Sequence, residues 1–125
     1  MSQLGTVGFF MKKVMLVVFN GDEMCFIHVL LSALDMSEKS FDVGIIIGGA
    51  STKLISKLEK EAHFLHALWE KVKTKGLVTG ACRACANKMG TLKAAEWIGL
   101  PIIGDMSGHS SLAAFMDDGF NIITF

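Results

Sequence analysis

The residues best suited to chemistry stand together in Gly80-Ala81-Cys82-Arg83-Ala84-Cys85. A cysteine thiolate is a strong nucleophile and exchanges sulfur reversibly, at a rate set by its ionised fraction and its access. Cys82 falls where an apolar run hands over to a helical stretch, and the N–H groups at such a junction favour a thiolate, as would the neighbouring Arg83. The competing reading is that Cys82 is a small buried hydrophobe. Its place at the end of a strand, between Gly80 and Arg83, favours the nucleophile. Cys85 makes a Cys-x-x-Cys pair, compatible with a dithiol/disulfide couple, half a zinc site or a resolving thiol. A structural zinc needs four ligands, and the sequence holds no second close Cys or His pair. Metal would therefore require Cys25, His28 or His109 to converge by folding, and neither metal nor cofactor is expected.

The other candidates rank behind these. His109 lies in the Gly- and Ser-rich stretch Ser107-Gly108-His109, where it is either a loop residue or a proton donor or acceptor near the thiol. Cys25 precedes Phe26 on a helical pattern and reads as packing. His63 and His66, with Glu59 and Glu70 at four-residue spacing, have a geometry that could bind metal but read as a solvated helix face.

These residues need a scaffold that gathers them. Val14 to Phe19 is a continuous apolar run stopped by Asn20-Gly21-Asp22, the mark of a strand covered on both faces. Phe26, Ile27, Leu30, Leu31 and Leu34 then share one helical face. Phe41 to Ile47 is a second strand closed by Gly48-Gly49-Ala50, after which Ser51 can cap a helix. Leu54, Leu58, Ala62, Leu65, Trp69 and Val72 keep helical register from Lys53 to Lys75, as one long helix or two in sequence, ending at Gly76. Leu77-Val78-Thr79, running into Ala81-Cys82, is a third strand. A helical stretch with Leu92, Ala95 and Ile98 on one face follows Thr91. Pro101-Ile102-Ile103 opens a fourth strand, Ser110 or Ser111 caps a last helix, and Phe120 to Phe125 closes the chain as a strand.

Strands alternating with helices predict a three-layer α/β/α fold around a mostly parallel five-stranded sheet. Ligands of such sheets bind beyond the carboxyl ends of the strands. That edge would collect Asn20, Gly21 and Asp22, then Gly49, then Cys82 and Arg83, and finally His109. The sequence divides into an N-terminal extension, 1–13, and a single domain, 14–125.

Composition narrows the partners. The 125 residues are 51% hydrophobic, with Lys plus Arg matching Asp plus Glu at 12 each. A balanced charge offers no field to hold nucleic acid or an anionic membrane, and the apolar excess predicts burial between subunits. Three cysteines, an odd number, do not make a secreted disulfide framework, and the first ten residues lack an export pattern. No apolar run reaches the ~20 residues of a bilayer span. A cytoplasmic domain is expected. No Gly-x-Gly-x-x-Gly, Walker or flavodoxin-type phosphate loop follows any strand, which speaks against nucleotide and flavin.

The segment Val78-Thr-Gly-Ala-Cys82-Arg-Ala-Cys-Ala-Asn-Lys-Met-Gly90 resembles the DsrE/DsrF/TusD-like family, in which a strand ends in a cysteine and a short basic helix runs to a glycine eight positions on. The ending, Gly108 to Phe125, is similar too. The resemblance implies a flavodoxin-like sheet, trimers or hexamers, and a cysteine, here Cys82, that carries sulfane sulfur as a persulfide between donor and acceptor proteins. Lys88-Met89 stands where relay members carry an Arg pair, and Cys85 is an addition. The reading is a sulfur carrier or sulfurtransferase with Cys82 and Cys85 as its thiols. The alternative is a non-catalytic oligomeric module that binds a small ligand in the same crevice.

Overall fold

Val14 to Val18 are buried without exception, which only a strand covered on both faces allows, and they form β1 (Lys13–Val18) of a computed structural model that describes residues 11–125. Residues 1–10 of the expected extension 1–13 lie outside the described residues, and Lys13 already belongs to the sheet. The chain continues through α1 (Glu23–Glu38), β2 (Asp42–Ile47), a 3-10 turn (Gly49–Leu54), α2 (Ile55–Leu58) and α3 (His66–Thr74). It then forms β3 (Val78–Cys82), α4 (Arg83–Lys88), α5 (Leu92–Trp97), β4 (Ile102–Ile103), α6 (Leu112–Asp117) and β5 (Asn121–Thr124).

The five strands lie in the order β4-β3-β2-β1-β5 and every pair is parallel, as alternating strands and helices require. Register aligns the carboxyl ends: Val18 opposes Ile47, Ile47 opposes Ala81, and Cys82 opposes Ile103. The sheet's faces are covered unequally. Val14, Leu16, Val18, Ile45 and Ile47 pack under α1, α2 and α3, around the fully buried Phe26 and Trp69. Met15, Val17 and Ile46 point the other way, against Leu112 and Phe115 of α6. The helix α6 has no buried residue of its own.

The segment 53–75 departs from its expected helix. Leu54, Leu58, Leu65, Trp69 and Val72 do face the core, but Ala62 is exposed. Between α2 and α3 the chain advances by three-residue turns, with Lys60 N–H donating to Lys57 O, His63 N–H to Lys60 O, and His66 N–H to His63 O. Tight turns keep an apolar spacing close enough to a helix to be mistaken for one. His63 and His66 accordingly leave the solvated face assigned to them. His63 pairs with Glu23 at the start of α1, and His66 Nδ1 bonds the Leu58 carbonyl at 2.8 Å. Ser51 does not cap a helix. It is fully buried, and its hydroxyl donates to Val18 O and Gly48 O, at 2.8 and 2.6 Å, pinning the ends of β1 and β2 together. Ser111 does cap α6, accepting from Ala114 N–H.

Beneath the turns, Glu59 accepts a hydrogen bond from Trp69 Nε1 at 2.6 Å and pairs with Lys73. Burial alone would raise its carboxyl, but the bonds from Lys73 and Trp69 outweigh it and hold Glu59 below its ordinary value of 4.5. A carboxylate whose pKa falls on folding adds stability above the unfolded value and loses it as pH drops through the folded one. Glu59→Gln is expected to cost about 1 kcal/mol near pH 7. In urea unfolding the gap from wild type should shrink as pH falls below 4.5.

Candidate functional site

The direction in which Cys82 points is decided by an irregularity in β3. Ile45 pairs with Val78 but Ile46 pairs with Gly80, so Thr79 is an extra residue. Val78 and Ala81 consequently share the main core face, which strict alternation would forbid for residues three apart. Cys82 turns to the opposite face and joins Val17 and Ile46 in the wall of a cavity of about 170 Å³. Gly80 makes room for this, since a Cβ there would come within 2.6 Å of Ile103 Cδ1.

Cys82 is 3% exposed, and Cys85, one turn along α4, is half-buried in the same cavity. His109 completes the group. Its Nδ1 lies 3.4 Å from Cys82 Sγ and 3.6 Å from Cys85 Sγ, and the three ligand atoms all fall within 4.8 Å of one another. Burial pushes the Cys85 thiol above its ordinary value of 9.0, the adjacent Cys82 adds to the rise, and the Gly49 amide opposes it.

Loop geometry puts the imidazole there. Ala84 N–H donates to Gly108 O at 2.9 Å, Met106 and His109 form an isolated antiparallel bridge, and Asp105 Oδ1 accepts from Ser111 N–H at 2.9 Å. From sequence, the N–H groups of the following helix are expected to face the Cys82 sulfur. The Ala84 N–H goes instead to the loop, and the polar groups against the thiol are the His109 imidazole and, at 4.0 Å, the Gly108 carbonyl. Gly49 lines the cavity with φ +51°, and a Cβ on it would meet Phe19 O at 3.0 Å.

The other expected residues lie elsewhere. Asp22 caps α1, accepting from Met24 N–H, while Asn20 Oδ1 accepts from Asp22 N–H. Gly21 and Asp22 line a separate open groove with Lys53, Lys57 and Phe64. Arg83 is exposed, and its guanidinium runs beside Gly104, outside the cavity wall. Cys25 and His28 stay on α1, away from the thiols, so of the three residues that folding could have brought to the pair only His109 arrives. The cavity wall also holds Phe19, Ser110 and Leu112, which sequence reasoning did not place there. The signal for Leu112 was its place one residue after the cap of α6. The others had none beyond their position past strand ends.

Residues 12–125 match the model of the DsrE/DsrF-like family, and the chain belongs to that family. An uncharacterized protein of Methanocaldococcus jannaschii is 34% identical over 96 residues, 77% of this chain and 76% of that protein. An uncharacterized protein of Archaeoglobus fulgidus is 37% identical over 41 residues, 33% of this chain and 67% of that one. No solved structure matches significantly. Among the described residues no helix is long and apolar enough to cross a membrane.

The site geometry generates one direct expectation. Mild oxidation of the reduced chain with diamide should link Cys82 to Cys85, whose sulfurs share the His109 ring, and leave Cys25 free. Peptide mapping reads the result, and a bridge containing Cys25 would contradict the arrangement.

Proposed function

We propose that this member of the DsrE/DsrF-like family is a sulfur carrier, with Cys82 as the thiol that is loaded. The observation that carries the reading is the contact of Cys82 and Cys85 with one imidazole at the edge of an apolar cavity. His109 Nδ1 takes the Cys82 thiol proton. The thiolate attacks the outer sulfur of a donor persulfide R–S–SH, forming Cys82–S–SH and releasing the donor as R–S⁻, which recovers a proton. The loaded sulfur then leaves by one of two balanced routes. An acceptor thiol attacks the outer sulfur and carries it off, restoring Cys82. Alternatively Cys85 attacks the inner sulfur, giving the Cys82–Cys85 disulfide and hydrosulfide, and a thiol reductant resets the pair. The apolar wall formed by Val17, Ile46 and Leu112 shields the persulfide from water.

Incubated with a sulfane-sulfur donor, the reduced protein should gain the mass of one sulfur atom on Cys82. Cys82→Ser should abolish the gain, and so should Cys82→Ala, which keeps this buried position apolar and guards against loss of fold. Cys85→Ser should still load but release hydrosulfide at least tenfold more slowly. A wild type that takes no sulfur from any donor sinks the reading. The lining of the cavity, almost wholly apolar, would then favour a small-ligand-binding module of the same fold.

Assembly is part of the proposal. Trp97 is 90% exposed, a heavy apolar side chain to leave in water, and Met116 and Met106 are exposed as well. Trp69, by contrast, is fully buried in the core. A closed homo-oligomer, a trimer or hexamer, covers Trp97. Light scattering should find that assembly in the wild type and a smaller species for Trp97→Ser, and a monomeric wild type at micromolar concentration would rule it out.

A further inference from the structure

The three groups that make the sulfur site also have the composition and spacing of a metal centre. We propose that the reduced protein binds one Zn²⁺ through Cys82 Sγ, Cys85 Sγ and His109 Nδ1, with the fourth position open to the cavity. Zn–S bonds of about 2.3 Å and Zn–N bonds of about 2.0 Å at the tetrahedral angle place sulfur and nitrogen about 3.5 Å apart. The observed separations are 3.4 Å and 3.6 Å. Two thiolates and one imidazole are a donor set that suits zinc among the divalent cations, and three protein ligands with one open position is the pattern of a reactive rather than a structural zinc.

Charge and surroundings agree with this assignment. On binding, each thiol gives its proton to solvent, and His109 donates its Nδ1 lone pair while its ring proton sits on Nε2. One dication and two thiolates sum to a neutral centre, which an apolar wall of Val17, Ile46 and Leu112 tolerates. The same wall contains one polar group without a use. Ser110 Oγ is enclosed and has no hydrogen-bond partner among the described residues, although enclosed hydroxyls are normally satisfied. A ligand on the open zinc position, a water or a hydrosulfide, would give it one. The ring is oriented independently of the metal, because the Met106–His109 bridge and the Ala84–Gly108 hydrogen bond fix the loop that carries it.

The proposal does not depend on sulfur transfer, and its test is separate. The full chain is reduced, stripped of metal, mixed with zinc and passed through a desalting column. One zinc per chain is expected by atomic emission. Cobalt in its place should show thiolate charge-transfer and intense tetrahedral visible bands. Bound zinc should protect Cys82 and Cys85, but not Cys25, from alkylation. His109→Ala and Cys85→Ala should each weaken binding on the order of 100-fold, at or beyond the loss caused by removing a mere outer partner of a ligand. His109 is exposed, so its variant keeps the core intact, and circular dichroism checks that it does. A wild type that leaves the column without zinc, or variants that hold zinc as tightly as wild type, would overturn the assignment. Sulfur loading is measured by mass on the metal-free protein, so failure of one proposal is read apart from failure of the other.

Discussion

A single extra residue in β3 determines what kind of site this protein can have. In a regular strand Val78, Gly80 and Cys82 would face the same way, and the thiol would be sealed under α1 and α3 as one more core side chain. Inserting Thr79 sends Ala81 into the core in its place. Cys82 passes to the face on which α6 packs and joins the cavity wall there.

A second constraint joins two parts of the chain that lie far apart in sequence. Cys82 and His109 are 27 residues distant, and the helix α5 and strand β4 lie between them. Pairing of β3 with β4 sets Cys82 opposite Ile103, and one backbone bond, from Ala84 N–H to Gly108 O, closes the rest of that distance. The donor belongs to the first turn of α4, one of the amides that a helix leaves unpaired. Using it on the loop satisfies an orphan donor and seats the imidazole over both sulfurs in one step. Positive φ at Ser107 and Gly108 lets the loop turn sharply enough to offer that carbonyl.

The inner strands β1 and β2 were legible because strands buried on both faces show as continuous apolar runs, as in Val14 to Val18 and Ile45 to Ile47. Cys82, Gly49 and His109 could be placed at one edge because parallel strands must end together. Asn20, Gly21 and Asp22 end a strand as well, yet they are consumed in capping α1 and lining a different groove. Strand-end position does not separate a cap from a ligand. Arg83 is next to Cys82 in sequence, yet its guanidinium lies beside Gly104 and not in the cavity wall, which adjacency alone does not reveal. The bulge at Thr79 left no sign beyond the neighbouring Gly80. The break between α2 and α3 was hidden by Leu58 and Leu65, seven residues apart, a distance that suits two helical turns as well as a series of tighter ones.

The link from β4 to β5 begins at one edge of the sheet and ends at the other, since these strands are its two outermost members. It therefore crosses over β3, β2 and β1, with His109 near its start and α6 resting on Met15, Val17 and Ile46 at its middle. The segment acts as a strap fastened at both margins. Its terminal buckle is the exchange between Phe125 and β1, where Phe125 N–H donates to Val17 O and Phe19 N–H to Phe125 O. The one segment that seats the imidazole beside the thiols therefore also roofs the second face of the sheet and supplies its outermost strand, so displacing α6 would uncover Met15, Val17 and Ile46.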